Sequence, residues 1–352
     1  MKVRFISPKP FSIAYGGLEI QLKKFKEYLE YNKIEVDFLD FYNQNLLNDI
    51  DILHFNGFSN WYAELIPLLK NKYPNLKLVI LPTYFVPNLL KYYFAKKLSK
   101  LCFIPNYFSY KRKILLHADA IITNSISEKK QLLKLFNADS KKIHVVYNAV
   151  DENFCNIKKE DEDVFIKKYN IDRGYLLCVG YLDERKNSLN LIRAYLNIYN
   201  KIKRKLVLIG DIRTSNIHYK REIMTLIEKN TDKILWIKFI EHDSTILKSA
   251  YYNCELHVLP SKIETPGLSN LEAGIFGKKI VVGDCAPVRE YFGDYAYYCK
   301  SSSIKSIETA IINAINDYNY NPNELQRFIL SNYTWKKSVD KLISIYNYLI
   351  TG

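Results

Sequence analysis

Glycine is scarce in this chain, with 12 among 352 residues, and the six cysteines contain no C-x-x-C pair. Cys102, Cys155, Cys178, Cys254, Cys285 and Cys299 are scattered, several inside apolar strand-like runs. Neither a disulfide framework nor a cysteine-held metal is expected, and buried free thiols in a reduced cytoplasm are. No run of 18 apolar residues occurs, and the opening MKVRFIS reads as a strand. Neither a membrane span nor a secretory signal is therefore expected. No G-x-G-x-x-G follows a predicted strand, which argues against a nicotinamide or flavin enzyme. Acid is also short: the formal net charge is +14, which calls for an anionic partner or surface. The excess is densest from Leu89 to His117, where Lys91, Lys96, Lys97, Lys100, Lys111, Arg112 and Lys113 stand without an acid.

What is present is a regular alternation. Short β-branched runs at 2–7, 34–39, 51–55, 77–81, 119–123 and 143–147 are separated by helical patterns, notably Leu18–Tyr31, Trp61–Asn71 and Ser125–Phe136. A second series of strands follows at 175–179, 205–209, 234–239, 255–259 and 279–283. Strands spaced by helices of 10–15 residues imply parallel βαβ units and doubly wound sheets. The length suits two domains, and the acidic, less patterned Asp151–Asp163 is the expected linker. The fold class is thus α/β, two Rossmann-like domains facing each other, spanning 1–155 and 165–334. Gly16, Gly17, Gly57, Gly180, Gly210 and Gly267 all fall shortly after a predicted strand, where open α/β sheets bind ligands.

Three segments carry candidate chemistry. Gly16 and Gly17 precede the helix that starts at Leu18, and free N–H groups there suit a phosphate oxygen, although a plain turn explains the pair as well. In LLCVGYLDERKNSLNLI (176–192), a buried strand ends at Gly180. Its loop presents Arg185 and Lys186, with Ser188 as the expected helix cap. Two cations at a strand end fit a diphosphate that gains charge as it leaves; a solvated pair is the alternative. In VLPSKIETPGLSNLEAGIFGKKIVVG (258–283), a strand feeds a glycine-marked helix start with Glu264 before it and Glu272 beyond it. A phosphate could sit at the helix start while the acids hold hydroxyls. Ser269-x-x-Glu272 also fits a capping box, and Glu264 also fits an ordinary loop acid.

Taken together, these segments resemble the retaining glycosyltransferases of family 4 (glycosyltransferase group 1), which have the GT-B fold. The resemblance spans nearly the whole chain, through GGLEIQ (16–21), HADAIITNS (117–125), HVVYNAVD (144–151), VGYLDERKN (179–187), LVLIGD (206–211) and LPSKIETPGLSNLEAGIFGKKIVVGD (259–284). It implies a nucleoside diphosphate sugar bound in the cleft between domains. Glu272 would accept hydrogen bonds from the ribose, and Glu264 would contact the donor sugar. Backbone N–H groups of Gly267, Leu268 and Ser269 would face sugar and phosphates, with Arg185 and Lys186 as catalytic cations. Gly16 and Gly17 would close on the phosphates, and the base would lie near Phe239 and Ile240. Neither a metal nor another cofactor is implied, and the C-terminal helix 335–352 would return to the first domain.

Two departures stand out. Tyr181 occupies a position where many relatives carry Arg, leaving the later Arg-Lys pair to supply charge. Thr83 or Tyr84 stands where relatives often place a histidine after the fourth strand, with His54 as a possible substitute. The basic, aromatic segment 91–113 has helical spacing and suits an anionic membrane surface; a solvated basic face is the alternative. A glycan or lipid-linked acceptor, as in surface polysaccharide or lipopolysaccharide synthesis, is the expectation, with the protein peripheral on the inner face of the membrane. The rivals are another enzyme on this fold, such as a sugar-nucleotide epimerase, and a basic nucleic-acid-binding protein. No recognition motif supports the latter, so nucleic acid is not expected as a partner.

Overall fold

The computed structural model describes residues 1–7, 16–40, 46–99 and 106–352. Cys102 and the part of the basic segment from Lys100 to 105 lie outside the described residues. The chain divides into two units, Met1–Ala149 with Trp335–Gly352, and Val150–Thr334.

The first unit runs β1 (Lys2–Ile6), α1 (Gly17–Tyr31), β2 (Glu35–Phe38), β3 (Ile52–Asn56), α2 (Tyr62–Lys72), β4 (Lys77–Leu81), α3 (Leu89–Ser99), α4 (Tyr107–His117), β5 (Ala120–Thr123), α5 (Ile126–Phe136) and β6 (Ile143–Val145). Its strands form one sheet in the order β2-β1-β3-β4-β5-β6, paired in parallel throughout. Parallel strands covered by helices on both faces bury every side chain, and all five residues of β3 are buried. Helix α5 shows how local chemistry sets the ends. The Ser125 hydroxyl accepts from the Glu128 N–H at 3.0 Å, and Asn137 closes the helix in the left-handed region.

The second unit runs α6 (Val164–Tyr169), β7 (Tyr175–Val179), α7 (Ser188–Ile202), β8 (Leu206–Ile209), α8 (Ile217–Glu228), β9 (Ile234–Ile237), α9 (Thr245–Asn253), β10 (Cys254–Leu259), α10 (Leu268–Ile275), β11 (Lys279–Gly283), α11 (Ala286–Phe292), β12 (Tyr297–Cys299), α12 (Ile304–Asn316) and α13 (Pro322–Asn332). Its parallel sheet has the order β12-β11-β10-β7-β8-β9. The order reverses between β7 and β10, so the carboxyl ends of these two strands flank the crevice in which doubly wound sheets hold ligands. Both units are Rossmann-like.

Three details differ from the sequence expectation. Strand β9 stops at Ile237, which releases Phe239 into the following loop. The edge strand β12 has only three residues, too few to show a period, and was not expected. The stretch Asp151–Asp163 is not a free linker. Phe154 within it is buried, and the Glu162 carbonyl accepts bonds from Ser249 and Asn253 at 2.6 Å, which tie the segment to the second unit.

The last helix, α14 (Trp335–Thr351), belongs to the first unit. Trp335 meets Phe25 edge-on at 5.9 Å, and the Tyr346 hydroxyl is 2.5 Å from His54 Nδ1. His54 is fully buried, and burial pushes its pKa down to about 3, so it is neutral and serves packing.

Gly210, just past β8, has φ +146°, and a Cβ there would lie 2.1 Å from the Gly180 carbonyl oxygen. Gly210→Ala should therefore cost roughly 2–4 kcal/mol, from strain plus displaced backbone. Gly293→Ala, where a Cβ meets nothing within 4 Å, should cost only about 1 kcal/mol for its left-handed φ. Urea unfolding midpoints of the two variants check the ordering.

Candidate active site

The carboxyl ends of β7, β8, β9 and β10 carry most of the sequence-predicted residues. After β7, Gly180 adopts φ +138°, and a Cβ there would approach the Lys186 stem at 3.7 Å. The loop then turns back on itself, with the Lys186 N–H donating to Asp183 Oδ1 at 2.6 Å. It also pairs with the loop after β10, where the Lys262 N–H donates to the Arg185 carbonyl at 2.8 Å. The helix cap is Asn187, in the left-handed region, and Ser188 is the first helical residue rather than the expected cap. Asn187 instead sends its amide to the Pro260 and Ser301 carbonyls, joining three strand ends.

The loop after β10 delivers Glu264 to the two cations. Its carboxylate accepts from Lys186 Nζ at 2.5 Å, from Arg185 at 3.2 Å and from the Ser261 hydroxyl at 3.3 Å. Burial works to raise the Glu264 pKa, but the charges of Lys186 and Arg185 outweigh it and hold the carboxyl below its ordinary range. The pair divides between the two readings: Lys186 is 11% exposed and withdrawn from solvent, while Arg185 stays half-exposed. Gly267 then opens α10 at φ 82°, where a Cβ would strike the Glu264 stem at 2.9 Å. Leu268 and Ser269 occupy the first turn, so their N–H groups have no partner within the helix and present its positive end.

Because the cap is Gly267, Ser269 and Glu272 do not form a capping box. The Glu272 side chain, 5% exposed, has other partners. One oxygen accepts from His242 Nε2 at 2.6 Å, and the other from the Tyr251 hydroxyl at 2.7 Å. Burial pushes His242 down, yet the Glu272 charge and the bonds to Asp243 and Glu272 raise it to about 10. Glu272 is correspondingly held below its ordinary range against the pull of burial. Phe154 stacks on the His242 ring at 5.4 Å. His242 is reached through the loop that begins after β9 with the exposed Phe239 and then Ile240.

Sequence reasoning missed His242, Tyr251 and Phe154, whose roles arise from contacts across 21 residues or more of chain. It also missed Arg213, after β8. Its guanidinium lies 3.9 Å from the Tyr181 ring centroid, so the Arg185–Lys186 pair is not the sole source of positive charge at these strand ends. Among the described residues no group of three His, Cys, Asp or Glu side chains could hold a metal ion.

In the first unit, Gly16 caps α1 with an extended backbone and Gly17 is its first residue. Thr83, after β4, is exposed with φ 50°, whereas Tyr84 is buried against Phe58 and Phe136. The basic segment divides into α3 and α4. Leu90, Phe94 and Leu98 form an exposed stripe on α3, flanked by the exposed Lys91 and Lys97. Lys96 is engaged by the Lys134 carbonyl and Asn137. Lys111 is buried, contrary to a uniformly solvent-facing basic segment. No helix among the described residues is long and apolar enough to cross a membrane.

Two doubly wound domains, one with cations, buried carboxylates and a helix start around its switch point, define a class of α/β proteins whose strand ends at that point form the usual ligand crevice. Within that class, residues 159–343 match the family described as glycosyl transferases group 1. Residues 37–154 match glycosyltransferase family 4. This chain belongs to the group 1 glycosyltransferases. It is 32% identical over 183 residues to the Campylobacter jejuni N-acetylgalactosamine-N,N'-diacetylbacillosaminyl-diphospho-undecaprenol 4-alpha-N-acetylgalactosaminyltransferase, covering 50% of this chain and 45% of that protein. It is 23% identical over 239 residues to O-antigen chain mannosyltransferase B of Escherichia coli, covering 66% and 61%. The matches thus span about half to three fifths of these relatives. Among solved structures, sucrose-phosphate synthase of Thermosynechococcus elongatus superposes with a TM-score of 0.78 at 16% identity, over 99% of this chain and 98% of that one. Anabaena HepE in complex with UDP and glucose gives 0.73 at 14% identity, over 99% and 100%. At such identities the likeness shows the fold.

The His242–Glu272 pair makes a pH prediction. A histidine whose folded pKa lies above its unfolded value of about 6.5 contributes stability that is complete below that pH. The contribution is lost as pH rises through the folded value, about 10. The wild-type melting temperature should therefore fall between pH 7 and 10 more steeply than that of His242→Gln. At pH 7 that variant should be less stable by about 3 kcal/mol, because Glu272 loses its counter-charge in a buried site.

Proposed function

We propose that this chain transfers a sugar from a nucleoside diphosphate sugar to a glycan or lipid-linked acceptor, in surface polysaccharide or lipopolysaccharide synthesis. The transfer retains the anomeric configuration and needs no metal ion. The observation that carries this reading is the cluster of Glu264, Lys186 and Arg185 beside the start of α10, in a chain that belongs to the group 1 family. Two cations and one carboxylate leave one positive charge over, next to the helix N-terminus. That balance suits a diphosphate whose negative charge grows as the sugar bond breaks. The anomeric carbon bonds to the acceptor oxygen on the face that the diphosphate leaves. A leaving phosphate oxygen takes the acceptor's hydroxyl proton, so no protein nucleophile is consumed.

Glu272 receives the ribose hydroxyls. Each carboxylate oxygen has a second acceptor site beyond its bond to His242 or Tyr251, and those bonds fix its orientation. Phe239, exposed past β9, and Ile240 offer an apolar surface to the base. Glu264 both faces the donor sugar and holds Lys186 in place. The bound UDP of the Anabaena structure and the diphospho-undecaprenol in the name of the Campylobacter relative support a nucleotide donor and a lipid-linked acceptor.

The exposed α3 stripe between Lys91 and Lys97 is the surface through which the protein rests on the anionic inner leaflet. On this reading the protein works in the cytoplasm, peripheral to the membrane.

A panel of nucleotide sugars tested for binding and hydrolysis checks the donor class. Glu272→Ala should abolish measurable nucleotide binding while the circular dichroism spectrum stays native. Lys186→Ala should lower kcat/KM by about 10²–10³, read in a transfer assay with the donor that the panel identifies. Unchanged transfer in either variant overturns the assignment. In co-sedimentation with vesicles containing phosphatidylglycerol, the triple variant Leu90→Ser, Phe94→Ser, Leu98→Ser should remain in the supernatant while the wild type pellets. Equal pelleting removes α3 as the contact.

A further inference from the structure

Two lysines are buried among the described residues of the first unit, and they differ in one respect. Lys24 lies 3.1 Å from the Glu27 carboxylate. Lys111, 5% exposed, makes no ion pair among the described residues, and the residues outside that set include no aspartate or glutamate. The Lys111 ammonium instead lies 4.5 Å from the Phe58 ring centroid and 5.6 Å from that of Tyr107. Aromatic faces attract a cation, but they recover only a few kcal/mol of the cost of removing it from water. Burial alone pushes this lysine down, to about 8, so it remains mostly charged at neutral pH. A buried cation without a counter-ion is a costly arrangement unless an anion arrives from outside.

Its place in the fold points the same way. Phe58 lies two residues beyond the end of β3, and Tyr84, against the same Phe58 ring, lies three beyond the end of β4. Tyr107 is the first residue of α4, whose start is capped by Asn106 through the Phe108 and Ser109 N–H groups. Lys111 is thus one turn inside a helix that begins at the carboxyl edge of the sheet, where ligands of such sheets bind. The positive end of the helix dipole adds to its charge. The sequence from Leu89 to His117 contains no aspartate or glutamate. Tyr107 is 40% exposed and extends the aromatic surface outward.

We propose that Lys111 binds a phosphate group of the acceptor, with Phe58 and Tyr107 as the walls of the site. The assignment rests on the transferase reading above and deepens it. The acceptor carries a phosphate or diphosphate close to an apolar portion that the aromatic rings cover, as a lipid-linked sugar does.

Calorimetric titration of the full chain with farnesyl diphosphate, inorganic pyrophosphate and UDP as separate probes tests this. Farnesyl diphosphate should bind the wild type, at least tenfold more weakly to Lys111→Met, and within about threefold of wild type to Lys111→Arg. UDP should bind all three proteins alike, and farnesyl diphosphate should bind Lys186→Ala as it binds the wild type. Unchanged affinity in Lys111→Met, or a loss that follows Lys186→Ala instead, overturns the proposal. Pyrophosphate binding as tightly as farnesyl diphosphate overturns the acceptor assignment, since a free anion then suffices. Absence of UDP binding from every protein counts against the donor reading and leaves the Lys111 comparison intact. Should Lys111→Met not fold, a diazirine-bearing prenyl diphosphate on the wild type decides. Cross-links to peptides containing Phe58 or Tyr107 support the site, and cross-links confined to Val150–Thr334 overturn it.

Discussion

Charge balance at the start of α10 governs the arrangement of the second unit's strand ends. Glu264 and Glu272 are both withdrawn from water, and an unpaired buried carboxylate costs several kcal/mol. Their partners are not local. Lys186 and Arg185 come from the loop after β7, His242 from the loop after β9, and the Tyr251 hydroxyl from α9. The carboxylates can be ionised and buried only when these elements have converged. The parallel order β10-β7-β8-β9 brings their carboxyl ends side by side. Folding of the sheet and assembly of the candidate site are thus one event. The charge left over, on Arg185 and at the helix N-terminus, is available to a ligand.

Glycine makes that convergence sterically possible. Gly180 and Gly210 lie so close that a methyl group on the latter would overlap the former's carbonyl, and Gly283 approaches the Ser261 carbonyl in the same way. Gly267 lets the backbone pass against the Glu264 stem before α10 begins. A chain with few glycines has placed several of them where strand ends converge, so their scarcity sharpens what each one marks.

Much of the fold was legible because parallel strands buried on both faces appear as unbroken apolar runs. LVLI at β8 and LLCV at β7 could be found without knowing their neighbours. β12, three residues at an edge, had no such signature. In the candidate site, Glu264, Arg185, Lys186 and Gly267 were legible because acids, paired cations and a glycine beside strand ends are unusual. His242 and Phe154 were not, since an isolated histidine in a loop and a phenylalanine in an acidic stretch carry no pattern. The capping box suggested by Ser269 and Glu272 fitted the spacing but failed because the helix cap is Gly267, two residues ahead of Ser269, which leaves Glu272 two positions beyond the place from which a side chain reaches back to the cap. Lys111 was read as one member of a basic face, while the structure buries it beside aromatic rings.

The sequence by itself determined the α/β class, the two strand series and the loops that hold the cations and acids, because periodicity and residue chemistry act over a few neighbours. Tertiary structure alone decided the partners: that Glu264 pairs with Lys186, that Glu272 is held by His242 and Tyr251, that His54 is neutral and structural, and that Lys111 has no counter-ion among the described residues. Ionisation, burial and pairing depend on what lies within a few ångströms, and residues far apart along the chain become neighbours only when the sheets form.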